Sequence, residues 1–357
     1  MAIYIINFFL ILLYNFIIKN KKTFVTIVGI QLFLILALRN PMLGVDNATY
    51  APGYEFISKL SFGDLCSRLH LVKVADLTYP YAFESGYVVL NWIVSSLGIG
   101  FHGFLVLHAA FCTYCFSKFI DRYSENPCLS FLLFIAFGFF TYQFGILRQT
   151  LSMAIFVASI PLIQKRKPIK YFLLCFLSFT IHRIAIITLP LYFVYNIKLT
   201  QKRYVYLCLL LAVMYAISPL IVGVLFRVLS SVLGKTLPTT GIRWNTQFVL
   251  MIFFMLAVFV FADFDRCIAG KKKNNFLCWC FLFSVFLEIF GLYNDTLARA
   301  VYVPYLAIII LIPNVLKSYE KTTIGVYGKV LLVFLSFVAM VVLLKNDFIN
   351  PYVFYLN

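Results

Sequence analysis

Residues 127–164 read PCLSFLLFIAFGFFTYQFGILRQTLSMAIFVASIPLIQ, and Arg148 is the single charged residue among them. A run this apolar, interrupted once, reads as two membrane helices, roughly 128–146 and 149–164, with a guanidinium at the break between them. The whole chain has this character. Of its 357 residues 63% are hydrophobic and 12% charged, with a mean hydropathy of +0.95, which excludes a soluble domain. Its apolar segments are helix-length and do not alternate in blocks of about ten, so an outer-membrane barrel is excluded too. The fold expected is all-α: a polytopic integral membrane helical bundle. The run from Ala2 to Ile18 lacks a basic leading region and a small-residue cleavage site, and is expected to be a retained first helix.

A net charge of +17 would suit a nucleic-acid partner, but the basic residues come in short clusters between apolar runs. That placement is what membrane topology demands, so no nucleic-acid partner is expected. The clusters are Lys19, Lys21 and Lys22; Lys118 and Arg122; Lys165, Arg166, Lys167 and Lys170; Lys198, Lys202 and Arg203; Arg266 and Lys271 to Lys273; and Lys317, Lys321 and Lys329. Taken as inner loops, they predict twelve crossings, roughly 2–18, 23–38, 102–118, 128–146, 149–164, 169–181, 184–197, 204–228, 247–263, 275–293, 299–316 and 329–345. Both termini then lie outside. Parity forbids a further crossing at 86–99, which should be re-entrant or interfacial. Residues 169–197 are short for two crossings at about 1.5 Å per residue, so His182 and Arg183 at their tip should sit recessed in a polar cavity. A single tilted helix is the competing reading, but it would turn the following lysines outward. One transmembrane domain, 1–357, is expected, with an extracytoplasmic loop at about 39–101 whose middle, 54–73, mixes apolar and charged residues as an interfacial helix does.

On this map the charges held in apolar surroundings fall on one side: Arg39, Asp46, Glu84, Arg148, His182, Arg183, Arg243 and Arg299. Charge beside lipid is costly, so a one-sided cluster reads as a site. Pro41 ends the second helix and Gly44 permits a tight turn that presents Asp46. Glu84 opens the stretch before the re-entrant segment, where an interfacial helix charge is the simpler account. Arg148, followed by Gln149, needs a partner or an anionic ligand because it cannot shed its proton; snorkelling to the outer headgroups competes. Arg243 stands beside Trp244, either a sugar platform or an interfacial anchor. Arg299 opens the eleventh span within reach of Asp295. Converging arginines suit a diphosphate, and a lipid diphosphate is the obvious anion at an outer leaflet.

Six of the nine cysteines, including Cys112, Cys115 and Cys278, lie inside apolar runs, and only Cys66 is expected outside, so no exofacial disulfide pair exists. No metal site is expected. Asp263-Phe264-Asp265 falls in a lysine-rich inner loop, no Cys/His spacing fits zinc, and no glycine-rich phosphate loop appears. No cofactor is expected either.

The ordered set Arg39, Gly44-x-Asp46, Tyr50, Glu84-x-Gly86-Tyr87, Leu147-Arg148-Gln149-x-Leu151, a basic loop and His182-x-x-Ala185 resembles the EpsG-like branch of the Wzy polysaccharide polymerases. It spans about residues 39–190, with Arg243 and Arg299 as looser counterparts. Val45 and Ile184 depart from the pattern where hydroxyl residues are expected. The resemblance implies a GT-C-like glycosyltransferase that joins O-antigen, capsule or exopolysaccharide repeat units carried on undecaprenyl diphosphate at the outer face of the bacterial cytoplasmic membrane. Undecaprenyl-diphosphate-linked glycans, membrane lipid, and a chain-length regulator and flippase of the same pathway are the partners implied. In that reaction an acceptor hydroxyl attacks the anomeric carbon of the growing chain. Arg148 is expected to steady the leaving diphosphate, with Arg299 and Arg39 in support. Asp46, Glu84 and His182 are the candidate bases. Asp46 ranks first because its turn lifts it toward a polar acceptor; Tyr50, Gln149, Arg183 and Arg243 are expected to bind substrate. A flippase or exporter of lipid-linked glycan would also use intramembrane arginines, but should spread them along a path. A ligase moving finished glycan to lipid A differs mainly in the acceptor, and a membrane acyltransferase would rest on His182 alone.

Overall fold

A computed structural model describes residues 1–71, 73–233, 242–243, 245–345 and 349–355. Among them the chain is helical, its only extended pairings being two isolated bridges, Arg39 with Phe354 and Val74 with Glu84. It divides into two compact units, Met1–Ile186 with Tyr327–Asn357, and Ile187–Val326.

The first unit opens with α1 (Ala2–Ile17) and α2 (Lys21–Ala37). Asn20 starts α2 by accepting a hydrogen bond from the Thr23 amide, filling one of the donors a helix start leaves bare. Two short helices follow, α3 (Asn47–Ser58) and α4 (Phe62–Arg68), and then α5 (Ser85–Ser96). At about 1.5 Å per residue, α5 reaches about 18 Å, too short to cross a bilayer core. The long α6 (Phe101–Tyr123) comes next, then α7 (Pro127–Ala136), the single turn α8 (Tyr142–Gly145), α9 (Leu147–Gln164) and α10 (Pro168–Ile181). The second unit holds α11 (Leu191–Val194), α12 (Gln201–Leu233), α13 (Thr246–Phe261), α14 (Lys272–Gly291), α15 (Asp295–Tyr305) and α16 (Ile308–Leu316). Finally α17 (Thr323–Lys345) carries the chain back into the first unit.

Among the described residues, six helical stretches are long and apolar enough to cross a membrane: Phe101–Tyr123, Leu147–Gln164, Gln201–Val224, Lys272–Gly291, Leu297–Tyr319 and Thr323–Lys345. Shorter apolar helices, Ala2–Ile17, Pro127–Ala136, Pro168–Ile181, Arg183–Val194 and Thr246–Phe261, fall where spans are expected. Helices α12 and α17 leave large side chains such as Leu220 and Phe334 uncovered, as a lipid-facing surface does.

Two expected spans are not straight helices. The run 128–146 breaks after Ala136, where Gly138 takes φ +79°, a conformation that only glycine adopts freely, and the chain turns before α8. The expected helix 184–197 is a 3₁₀ segment, Arg183–Thr188, followed by the four residues of α11. Pro190, with no amide to donate, sits at this junction.

In the first unit α6 and α9 form the middle of the core, with Phe104, Ala109, Phe116, Met153, Ala154 and Ile160 buried. The turn 39–46 is bound to the α8–α9 junction. Asn47 donates through Nδ2 to the carbonyls of Pro41, Leu43 and Phe144, each at 2.9 Å. The backbones meet there because residue 44 is glycine: at φ +141° a Cβ would stand 2.2 Å from the Phe144 carbonyl oxygen. In the second unit α14 is the buried axis, and Asn275 joins α14 to the start of α12 through the Leu199 amide at 2.7 Å.

Replacing Gly44 by alanine adds both left-handed strain and a backbone clash, and should lower stability by about 2–4 kcal/mol. A denaturant titration of purified protein in detergent reads it; a variant as stable as the parent would show that the turn does not touch α8.

Candidate active site

Glu84 ends the loop before α5, and its backbone carbonyl accepts the Val88 amide, while its side chain makes no cap to its own helix. It turns instead toward the end of α10. That reach depends on Gly86, where a Cβ would lie 2.3 Å from the Thr180 hydroxyl and 2.8 Å from the Thr180 carbonyl carbon, so any side chain would push α5 and α10 apart.

Three groups meet the carboxylate. Arg148 Nη1 donates to Oε2 at 2.5 Å, His182 Nδ1 lies 3.0 Å from Oε1, and the Arg183 amide donates to Oε1 at 3.3 Å. Arg148 stands in the first turn of α9, and His182 is the residue that ends α10, its amide donating to the Ser178 carbonyl. The Glu84 side chain is 8% exposed, against 22% for Arg148 and 18% for His182. Burial alone would push the carboxyl upward, but the His182 hydrogen bond and the Arg148 charge outweigh it and hold Glu84 at about 2.

The guanidinium is cradled as well as paired. Its Nε donates to the Tyr50 hydroxyl and its Nη1 to the Ala82 carbonyl, both at 3.3 Å. It lies 5.0 Å from the Phe83 ring centre and 5.7 Å from that of Tyr50. Tyr50, Phe83 and Tyr87 pack on one another, and Tyr87 packs on Phe104 at 5.9 Å, closing the floor. The loop above is fastened by Ser85, whose Oγ donates to the His70 carbonyl and accepts its amide, and by the Ala75 amide on the Phe83 carbonyl.

Several groups around this cluster keep free valences among the described residues. Ionised Glu84 can only accept, so His182 Nδ1 donates to it and Nε2 is left without a hydrogen bond among the described residues. The Arg183 side chain is exposed and makes no ion pair. Asp46, half-buried at the start of α3, makes no side-chain cap and no ion pair, and its charge is felt at the Tyr50 hydroxyl.

The EpsG family model matches residues 22–354. The chain belongs to the EpsG family. Comparisons with curated proteins and with solved structures give no match. Membership in the EpsG family points to polysaccharide polymerisation.

In this EpsG-family chain the expected site residues divide by location. Asp46, Tyr50, Glu84, Arg148, His182 and Arg183 belong to the first unit, and Tyr50, Glu84, Arg148, His182 and Arg183 make one connected cluster. Arg39, expected at substrate, is fully buried: Nη1 donates to the Gln143 carbonyl at 3.0 Å, the guanidinium lies 4.9 Å from the Phe144 ring centre, and Nε and Nη2 have no hydrogen-bond partner. It points into the bundle because Leu38 and Asn40, on either side, pair with Tyr355 and Val353 of the C-terminal segment. Gln149 is also buried. Arg243 and Arg299 lie exposed in the second unit, where the Arg243 amide donates to the Leu292 carbonyl at the end of α14. Trp244 lies outside the described residues. Asp263 caps the turn after it by accepting the Arg266 amide, and no three His, Cys, Asp or Glu side chains gather as metal ligands do among the described residues.

One acid escaped the sequence reading. Glu288, on α14, is 1% exposed and accepts from Asn245 Nδ2 at 2.6 Å, with no hydrogen-bond partner for Oε2 among the described residues. A lone carboxylate within an apolar helix was signal enough.

A carboxylate held low in the folded state stabilises above its unfolded value of about 4.5, and that contribution fades as pH falls through about 2. Glu84→Gln should therefore cost about 3 kcal/mol at neutral pH, with the gap to the parent narrowing below pH 4.5 and closing near pH 2. Stability measured across that range checks it; a pH-independent gap would deny the ion pair.

Proposed function

We propose that this protein polymerises undecaprenyl-diphosphate-linked oligosaccharide repeat units by glycosyl transfer at the outer face of the cytoplasmic membrane. Twelve crossings, a GT-C-like arrangement and a site opening outward are part of the same reading. The observation that carries it is the pairing of an oriented imidazole, whose Nε2 is open, with the guanidinium groups of Arg148 and Arg183 on one lip.

The chemistry needs two things. An acceptor sugar hydroxyl forms a bond to the anomeric carbon of the growing chain and must lose its proton; the bond from that carbon to the diphosphate breaks, and the departing oxygen gathers charge. His182 Nε2 takes the proton, as an imidazole whose other nitrogen is bound to a carboxylate does. Glu84 fixes the ring and stabilises the imidazolium that forms. This places Glu84 and His182 ahead of Asp46 as the basic pair. Asp46 is left to hold an acceptor sugar by its hydroxyls.

Arg148 is already neutralised by Glu84, so the uncompensated positive charge on the lip is that of Arg183. A diphosphate gripped by Arg183 competes with Glu84 for Arg148, whose Nη2 is engaged by none of the described hydrogen bonds. As Arg148 leans toward phosphate, Glu84 is left to His182 alone, where it stabilises the imidazolium that forms. Binding of the leaving group thus readies the base.

Two measurements test this reading. In cells making the polymer, His182→Ala should cut polymerisation about 10²–10⁴-fold and Arg148→Lys about 10²-fold, with Asp46→Asn milder. Full-length polymer from normally expressed His182→Ala, with none from Asp46→Asn, would return the base to Asp46. In cells lacking the protein, single repeat units should accumulate on the outer leaflet; intermediates trapped on the inner leaflet would mean a transporter.

A further inference from the structure

Helices α2 and α6 run antiparallel. His102 at the start of α6 bonds the Ala37 carbonyl at the end of α2, at 2.9 Å, and Lys21 Nζ at the start of α2 donates to the Ser124 carbonyl just past α6, at 2.7 Å. Toward the Lys21 end a groove of about 370 Å³ runs over their seam, walled by Val25, Ile30 and Phe33 and carrying Lys22, Lys118 and Asp121, while beneath it the helices stay close, a Cβ at Gly29 standing 2.7 Å from the Ser117 hydroxyl. A second cavity of about 370 Å³ lies between α6 and α9. The two share Tyr114, Lys118 and Asp121, and the second adds Arg122 and Pro161.

This shape is forked: two hollows divided by Tyr114, with one cationic group common to both. Lys118 Nζ stands 5.8 Å from the Tyr114 ring centre, at the fork. Lys22, Lys118 and Arg122 outweigh Asp121, so the fork carries net positive charge. Lys118 lies fourteen residues along α6 from Phe104, the floor of the Glu84 cluster, or about 20 Å at 1.5 Å per residue. The fork is therefore a separate place from that cluster.

We propose that this fork binds an anionic glycerophospholipid, with its phosphate at Lys118 and Lys22 and one acyl chain in each hollow. Each part of the lipid answers a feature of the protein: one anion for the shared cations, two chains for two hollows. Basic pockets between helices at a membrane surface are where anionic headgroups are held, each lysine contributing about a fivefold gain in affinity. The inference stands independently of the reaction proposed above, since no residue of the Glu84 cluster takes part.

Native mass spectrometry of the purified full-length chain, offered phosphatidylglycerol or phosphatidylcholine of identical acyl chains, tests it. Phosphatidylglycerol should be retained at least fivefold better. The double variant Lys22→Gln with Lys118→Gln should lower that retention roughly 25-fold, toward the phosphatidylcholine level, while Lys118→Arg keeps it. Excess inorganic phosphate should leave that retention unchanged. Equal retention of the two lipids, indifference to the lysine variants, displacement by inorganic phosphate, or preference for single-chain undecaprenyl phosphate would each overturn the proposal.

Discussion

The Glu84 carboxylate, held by Arg148 on one oxygen and His182 on the other, is the interaction around which the first unit is arranged. It joins the start of α5, the start of α9 and the end of α10 at one point. A buried ion pair contributes little net stability, since taking its charges out of water offsets their attraction. What it supplies is geometry. With one partner removed, the other is stranded in a poor solvent for charge, so arrangements that separate the three helix ends are strongly disfavoured. The aromatic floor of Tyr50, Phe83 and Tyr87 strengthens this by keeping water from the guanidinium.

Every group in the cluster comes from a helix terminus, and the termini do not treat their charges alike. Carboxylates at the starts of α3 and α5, Asp46 and Glu84, agree with the partial positive charge there. An arginine in the first turn of α9 does not. Arg148 is thus opposed twice, by the helix dipole and by its apolar flanks, and its place is explained only by the acid that faces it. A residue that violates local rules and is compensated by a distant one is the pattern of a functional position.

Much of this was legible in the sequence, and the exceptions share a cause. Helix positions followed from apolar run length, so α6, α9, α14 and α17 fall on expected spans. The landmark glycines were visible too, but not their purpose: Gly44 and Gly86 matter because of what approaches them, Phe144 and Thr180, about a hundred residues away. The direction of a side chain at a helix end was equally hidden. Arg39 and Arg148 look alike as isolated arginines beside apolar runs. One faces the core, because the chain around it is pinned to residues 353–355, and the other faces the lip. Run length likewise could not show that 127–146 bends at Gly138, since a bent and a straight apolar segment have the same composition.

The buried Arg39 also bears on how the lip keeps its shape. Its Nη1 bond to the Gln143 carbonyl holds the turn α8 against the end of α2, and Asn47 holds the Phe144 carbonyl one residue later. These anchors lie just before Leu147, whose carbonyl meets His108 Nε2 at 3.0 Å. The start of α9 is thereby fixed from both sides, and with it the base of the Arg148 side chain. A guanidinium that must lie within hydrogen-bond reach of a carboxylate, and also stay near an incoming anion, tolerates little drift in its own backbone. The fully buried arginine therefore serves the partly buried one at the cluster, fixing its position without touching what it binds.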